Sequence, residues 1–170
     1  MTPRPRMILL ATALVGLAAC QEPENPACTG EIVLYFSGLP EGDIGLLSMG
    51  GVDFEVLSGE VAGYRGEGAA TLLLMNARLA LTLPCAAAEV ELVIEDGQAN
   101  LGVEGYATLD ASTDPVLDER SWSATGLEPE LDPFQRWTLQ APVGTRLRQV
   151  VLSTEGQSGV SVLVKSIVFR

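Results

Sequence analysis

The sequence predicts an all-β fold, an antiparallel β-sandwich of about nine strands. Apolar runs are short, several of them alternate apolar and polar residues, and Gly, Pro, Asn and Asp separate them at regular intervals. No stretch repeats apolar residues at helical spacing. This pattern is typical of sandwich proteins, whose strands bury one face against the opposite sheet.

Alternation is clearest in two of the predicted strands. Val52, Phe54 and Val56 share one face of the second strand, because side chains two residues apart point the same way. In residues 89–95 the three glutamates share one face, opposite Val90, Leu92 and Ile94, as expected for a half-buried strand with a solvated outer face. The nine predicted strands cover residues 32–36, 52–56, 71–75, 79–83, 89–95, 100–109, 136–140, 147–152 and 160–169.

Two stretches are less regular. Residues 86–88 are alanines that follow Pro84, and we expect them to form only a turn. Residues 109–134 are rich in acids and prolines, and they form either a long exposed loop or two weakly patterned edge strands.

The first twenty residues have a basic start, an apolar run and small residues before a cysteine. Arg4 and Arg6 precede the apolar run, residues 7–19, and Cys20 follows it directly. This segment resembles a bacterial lipoprotein signal, with Leu17-Ala18-Ala19-Cys20 as its lipobox. The resemblance implies cleavage before Cys20 and acylation of its thiol with palmitate or a similar fatty acid. The alternatives are an ordinary signal with an incidental cysteine, or a retained transmembrane helix, which would need roughly 20 apolar residues.

We divide the chain into a signal peptide (1–19), a lipidated cysteine with its tether (20–30) and one β-sandwich domain (31–170). The tether begins with polar residues and two prolines, which cannot pack a core. Gln21 follows the cysteine, and in enterobacterial lipoproteins this implies transfer to the outer membrane. We therefore expect an exported protein of the bacterial cell envelope, held to the outer membrane by its lipid.

Charge limits the possible partners. The chain has a formal charge of −12, and removal of residues 1–19, which hold two arginines and no acid, makes it −14. Such a surface repels nucleic acid phosphates and anionic lipid headgroups. We predict no nucleic acid partner, and attachment to the membrane through acyl chains alone.

Two cysteines remain once Cys20 is acylated. In an exported chain, Cys28 and Cys85 are most simply a disulfide. The alternative, a reactive thiol, needs an activating neighbour such as histidine, and the chain contains none.

Residues 31–169 contain a series of short motifs in a fixed order: Gly-Leu-Pro-x-Gly after Phe36, Gly-Val-x-Phe (51–54), Leu-x-Leu-x-Leu-Pro (79–84), x-Val-x-Leu (89–92), Gly-Tyr-Ala (105–107), Trp-Thr-Leu (137–139) and the closing strand (160–169). In this order they resemble the galactose-binding-like class of jelly-roll domains found in many secreted bacterial proteins. The resemblance implies a jelly-roll-like sandwich, a fold that hosts many functions.

Some members of this class hold a structural calcium. In the class an acid often precedes the final Ile-x-Phe, whereas here Lys165 and Ser166 stand at that point. Glu41, Asp43 and Asp53 offer oxygen ligands without a compact Asp-x-Asp spacing. We predict no metal site and no cofactor.

The residue types argue against catalysis. Without histidine, a Ser–His–Asp triad and a histidine-bound metal are both excluded. A glycosidase needs only two carboxylates at a suitable separation. Among 22 acidic residues such a pair is expected by chance, so their number does not indicate a glycosidase active site. We assign no catalytic residue and predict that the protein is not an enzyme.

Binding is the remaining function, and aromatic side chains are the candidates for it. We predict Trp122, in the polar stretch 119–123, and also Tyr106 and Tyr64 as ligand contacts. Trp137 shares a face with Leu139 and is expected in the core. The first hypothesis is a membrane-anchored, non-catalytic module that binds a glycan or another envelope ligand. The alternative is a structural or assembly lipoprotein that works through protein–protein contacts.

Overall fold

Eleven strands make up most of the chain that the structure describes. The computed structural model describes residues 26–65, 70–97, 100–108, 115–122, 135–156 and 161–170, and for residues 95–97 and 122 the backbone alone. The strands are β1 (Ile32–Tyr35), β2 (Gly42–Asp43), β3 (Leu46–Met49), β4 (Val52–Arg65), β5 (Ala70–Ala87), β6 (Glu89–Gly97), β7 (Leu101–Tyr106), β8 (Asp118–Trp122), β9 (Gln135–Gln140), β10 (Leu147–Ser153) and β11 (Ser161–Phe169). All of them pair antiparallel, which confirms the all-β sandwich.

The hairpin of β4 and β5 runs through both layers of the sandwich. Residues 70–75 of β5 pair with the second half of β4, and residues 72–75 also pair with β11, whereas the second half of β5 pairs with the first half of β4 and with β10. The first layer therefore has the order β3-β4-β5-β10-β7-β8. The second has the order β2-β4-β5-β11-β6-β9, with β1 beside the end of β11.

The hairpin changes layer at Gly59 and Asn76. Both residues have positive φ, 73° and 43°, and the pairing register shifts on each side of Ser58. Such bulges bend a strand without ending it. The sequence-based prediction of two strands, 71–75 and 79–83, was wrong for this reason, since β5 is continuous through Asn76.

The predicted turn at residues 86–88 was also wrong, because Ala86 and Ala87 belong to β5. Proline is tolerated within a strand where no ladder hydrogen bond is needed. The pairing of β5 with β10 is interrupted between Thr82 and Ala87, and Pro84 lies in that interval.

The structure has more strands than the nine predicted. β2 and β3 are short edge strands without clear alternation, and β8 lies within the irregular residues 109–134. β8 pairs with β7, so this part of the stretch is an edge strand, and the rest of the stretch is largely outside the described residues.

The core lies between the two layers. Val90, Leu92 and Ile94 are buried in it, as the alternation predicts, and half-buried Trp137 packs against it. Two fully buried phenylalanines, Phe36 and Phe54, meet edge to face with ring centroids 6.0 Å apart.

Hydrogen bonds tie the free edges of the two layers together. Gln140 on β9 donates its backbone amide to Asp118 on β8 at 2.8 Å, and Arg120 donates to the carbonyl of Thr138 at 3.3 Å. The sandwich is therefore nearly closed at the β8–β9 edge.

The predicted disulfide between Cys28 and Cys85 is present, with the two Cα atoms 5.0 Å apart. It fastens residues 26–28 beside the end of β5, where Ala27 and Ala86 form a parallel bridge. No helix in the described parts of the chain has the length and apolarity to span a membrane.

Candidate functional site

A groove crosses the outer face of the second layer where β1, β11, β6 and β9 lie side by side. Its volume is about 350 Å³. Its apolar floor and its charged or aromatic walls come from Glu31, Val33, Tyr35, Glu91, Val93, Arg136, Lys165, Ser166, Val168 and Arg170. We refer to this feature as the groove.

The strand register explains why these residues meet. Opposite residues of paired strands share a face, so each row of partners presents a row of side chains. Three rows of side chains point outward. Two of them follow the pairing directly and are Tyr35–Ser166–Val93–Arg136 and Val33–Val168–Glu91–Thr138. The third consists of Glu31, Arg170, Glu89 and Gln140, where Glu31 and Arg170 flank the paired segments of β1 and β11.

A bulge in β11 adds a cation to the groove. The register between β11 and β6 shifts between Val164 and Ser166, so that one residue of β11 lacks a partner. Because a bulge interrupts the alternation of faces, Lys165 and Ser166 both line the groove although they are neighbours in sequence.

The floor of the groove is largely apolar and deeply set, whereas one wall carries an exposed aromatic ring. Val93, Val168 and Ser166 line the groove and are buried. Tyr35 is 61% exposed, which is the largest exposed fraction among the described aromatic residues. Its ring thus stands in solvent beside an apolar surface.

Ion pairs order the polar side chains of the groove. Arg136 donates to Glu91 at 2.8 Å, and the Glu91 side chain is only 14% exposed. Arg170 donates to Glu31 at 2.8 Å and also pairs with Glu89. The hydrogen bond that Arg170 donates to Glu31 is the main reason that the pKa of Arg170 is raised above its ordinary value.

The groove differs in charge from the rest of the domain. Arg136, Lys165 and Arg170 are three of the eight basic residues that follow Cys20. Glu31 and Glu91 also line the groove, and Glu89 pairs with Arg170, so the formal charges of these six side chains cancel on a strongly acidic protein.

The three aromatic residues predicted as ligand contacts do not come together. Tyr64 is about half exposed on β4, where alternation places it on the outer face of the second layer, but it does not line the groove. Trp122 is the last residue of β8, and its side chain is outside the described residues. The polar stretch before it pairs with β7, so of the two alternatives for this part of residues 109–134 the structure has the edge strand.

Tyr106 lies on the other layer, and its ring has no open face. It is 3% exposed and packs with Ala80 and Val151. Its hydroxyl donates to Glu104 at 2.6 Å. Burial, together with the hydrogen bond and negative charge of Glu104, raises the pKa of Tyr106 to about 12. A ring buried in this way is unavailable for stacking on a ligand.

Sequence reasoning missed Tyr35 and the charged wall of the groove. Alternation was a usable signal for Tyr35. Because the apolar residues Leu34 and Phe36 on either side of it are buried, alternation places the Tyr35 ring on the outer face of the strand. Glu91 was interpreted as part of a solvated face. Its partner Arg136 lies 45 residues away in sequence, and no local pattern joins the two.

Two further predictions concern residues outside the groove. Cys20 and its signal lie outside the described residues, so acylation stays a prediction. Among the described residues, no three acidic or cysteine side chains converge closely enough to hold a metal ion. Glu41 instead forms an ion pair with Arg65 at 3.4 Å.

Comparison with known proteins finds likeness in fold alone. No family model matches the chain, and no curated protein matches its sequence. A mutant of the family 29 carbohydrate binding module CBM29-2 complexed with mannohexaose aligns with a TM-score of 0.55 at 9% identity, over 82% of this chain and 90% of that one. A second CBM29-2 mutant aligns with a TM-score of 0.54 at 10% identity, over 84% and 92%.

The K1 cleaved adhesin domain of Lys-gingipain from Porphyromonas gingivalis W83 also aligns, with a TM-score of 0.49 at 13% identity, over 84% of this chain and 98% of that one. At these identities the CBM29-2 matches establish a shared β-sandwich, as the jelly-roll resemblance implied.

Proposed function

We propose that this chain is a non-catalytic glycan-binding module, carried by a lipid-anchored protein of the bacterial envelope, and that the saccharide binds in the groove. The observation that carries the proposal is the exposed ring of Tyr35 beside an apolar floor and a wall of ion-paired side chains. This combination suits a sugar ring, which has apolar C–H faces and a polar rim of hydroxyls.

Each part of the groove has a role in such binding. The negative face of the Tyr35 ring attracts the slightly positive C–H groups of a sugar face. Carboxylates such as Glu91 accept hydrogen bonds from hydroxyls, and guanidiniums such as Arg136 donate to them. Because the ion pairs already hold these side chains, a ligand orders little on arrival, which favours affinity.

Size and fold are compatible with this proposal. Sites for small ligands occupy roughly 300–1,000 Å³, and the groove, at about 350 Å³, lies at the lower end of that range. The CBM29-2 module, whose fold this chain shares, is described as a carbohydrate binding module and was solved with mannohexaose. We propose binding without catalysis, since the groove carboxylates Glu31 and Glu91 are engaged by arginines.

The experiment is a binding survey with variants of single tyrosines. The detergent-solubilised full chain is titrated calorimetrically with mannan, glucomannan, xylan and cellulose oligosaccharides and with peptidoglycan fragments. We expect one class to bind, and Tyr35→Ala to weaken that binding at least about tenfold, equivalent to the roughly 1.4 kcal/mol of one lost anchor.

Tyr64→Ala is the matched control, because Tyr64 is an exposed tyrosine of the same layer outside the groove. It should bind as the wild type does. Absence of binding to every glycan would contradict the proposed function. If Tyr64→Ala loses binding while Tyr35→Ala binds as the wild type does, the binding site lies outside the groove.

A second function, assembly through protein contacts, is favoured by one observation. Leu46 is 82% exposed on β3, which pairs with β4 alone among the described strands. An exposed edge of this kind can receive a strand from another protein. Crosslinking in intact cells should then capture an envelope protein with the wild type and lose it with Leu46→Lys.

A further inference from the structure

We infer that the Cys28–Cys85 disulfide is a positioning element for the groove, holding its edge strand β1 in the shape that binds ligand. The inference rests on the proposed function of the groove. Neither cysteine lines the groove, so the effect acts through the placement of β1.

β1 is the weakest part of the groove wall. It has four residues and pairs with β11 alone among the described strands, yet Val33 and Tyr35 belong to it and Glu31 immediately precedes it. A short strand with one neighbour has few hydrogen bonds to hold it, and such segments open at low cost in free energy.

Two fastenings hold β1, one at each end. Beyond its last residue, Phe36 is fully buried against Phe54. Before its first residue, Cys28 is bonded to Cys85, which is itself buried in the core. Tyr35 is adjacent to the first fastening and seven residues from the second, so both ends of its strand are tied to the interior.

Besides the disulfide and the packing of Ile32 against the core, few contacts fix the segment that leads into β1. Two backbone hydrogen bonds join the flanking segments, from Cys28 to Ala86 at 3.1 Å and from Ala86 to Pro26 at 2.9 Å. The link to β1 passes through Gly30, which has φ of 98° and no heavy atom within 4 Å of the place of a Cβ. A glycine in open space constrains the chain weakly.

The ion pair between Glu31 and Arg170 adds little to this fastening. Their side chains are 53% and 40% exposed, and exposed ion pairs contribute little to stability. Without the disulfide, residues 26–35 are therefore expected to open more often, with Leu34 leaving the core, while the sandwich stays folded, because β5 keeps its pairing with β4, β10 and β11.

The consequence for binding is a change in population. If β1 is docked in only about a tenth of the molecules, the apparent dissociation constant rises about tenfold, because ligand must select the docked form. We expect a loss of this size, with no change in the identity of the ligand.

The test compares three forms of the detergent-solubilised full chain: oxidised, reduced with dithiothreitol, and the Cys28→Ser/Cys85→Ser double variant. Reduction breaks the S–S bond and leaves two thiols. Dithiothreitol supplies the two electrons and two protons, and its own thiols close to a cyclic disulfide. The serine variant reports the same state without a reductant.

The first readout needs no ligand. Hydrogen exchange followed by mass spectrometry should show amides of residues 32–35 exchanging at least about tenfold faster in the two bridge-free forms, with β6 and β10 unchanged. The second readout is the affinity for mannohexaose, which should fall about tenfold in those same forms.

Leu101→Ala is the control for a general loss of stability, since Leu101 is buried in β7 of the first layer. It should not speed the exchange of residues 32–35 by a larger factor than the exchange of β6. Unchanged exchange in β1 after loss of the disulfide would overturn the inference, as would uniformly faster exchange in every strand. Failure of the oxidised chain to bind mannohexaose, with the β1 effect present, would count against that ligand alone.

Discussion

Thr154 and Ala77 hydrogen-bond to each other through two separate donors. The backbone amide of Thr154 donates to the carbonyl of Ala77 at 2.8 Å, and the amide of Ala77 donates to the Thr154 hydroxyl oxygen at 3.0 Å. Both residues are fully buried. The pair thus fastens the end of β10 to the bend of the long hairpin, beside Asn76, where β5 passes from one layer to the other.

Thr154→Val is expected to destabilise the protein by about 1–3 kcal/mol. Valine has nearly the shape of threonine, but it leaves the Ala77 amide buried without its acceptor. Urea denaturation measures the change in the free energy of unfolding. Thr154→Ser keeps the hydroxyl and should lose less than about half as much, so equal losses in the two variants would show that packing matters rather than the hydrogen bond.

Gly59→Ala should destabilise the protein by at least about 2 kcal/mol. A Cβ on Gly59 would lie 2.0 Å from the carbonyl oxygen of Asn76, and the residue also has φ of 73°. Strain and a backbone clash therefore add. Gly144→Ala is the comparison, since Gly144 has φ of 88° with nothing within 4 Å of a Cβ. Its cost should be about 1 kcal/mol, and equal melting temperatures would contradict the clash.

The raised pKa of Tyr106 leads us to expect a loss of stability at high pH. Its pKa is about 12 in the folded protein against the ordinary 10.0, so the folded state keeps the phenol proton more tightly than the unfolded state. This contribution is complete below pH 10 and is lost as the pH rises from 10 to 12. Tyr106→Phe should reduce the decline in the free energy of unfolding over that interval and remove a late step from the tyrosinate absorbance titration.

Arg136→Ala separates binding from stability. Its side chain is 64% exposed, so its ion pair with Glu91 contributes less than about 1 kcal/mol to folding. Glycan affinity should nevertheless fall several-fold, because Glu91 loses the partner that orients it. Arg65→Ala is matched, since it breaks an exposed ion pair with Glu41 outside the groove. Calorimetric titration should find its affinity equal to that of the wild type.

Cys20→Ala is expected to abolish fatty acid labelling and to move the protein from the detergent phase to the aqueous phase in a phase-separation assay. Acyl chains would be its only attachment, because the strong negative charge opposes binding to anionic lipid. Cys28→Ser should keep the label. Continued labelling of Cys20→Ala would contradict acylation at the predicted lipobox.

The strand pattern could be predicted where local alternation decides which face is buried. Val90, Leu92 and Ile94 are buried on the face opposite the three glutamates of residues 89–95, and this information lies within seven residues. The bend at Asn76 could not be predicted in this way. The bend depends on Gly59 and Thr154, which lie 17 and 78 residues from Asn76. Because the sequence around Asn76 does not show these distant partners, it resembles the end of a strand.

The groove was less accessible to sequence reasoning than the fold. An aromatic ring in a polar stretch suggested Trp122, whereas the structure exposes Tyr35 between two apolar neighbours. Exposure here depends on which strand lies at an edge and on what covers each face. Tyr106 illustrates the same limit, since Ala80 and Val151 from two other strands bury its ring.

The position of the disulfide also determines how the domain carries force. A pull on the N-terminal side enters at Cys28 and passes through the S–S bond into β5, which is paired with β4, β10 and β11. Without that bond, the same pull would act on β1 and separate it from β11 one hydrogen bond at a time. A pull from the N-terminal side therefore reaches the centre of the sandwich without first acting on β1, the strand that presents Tyr35.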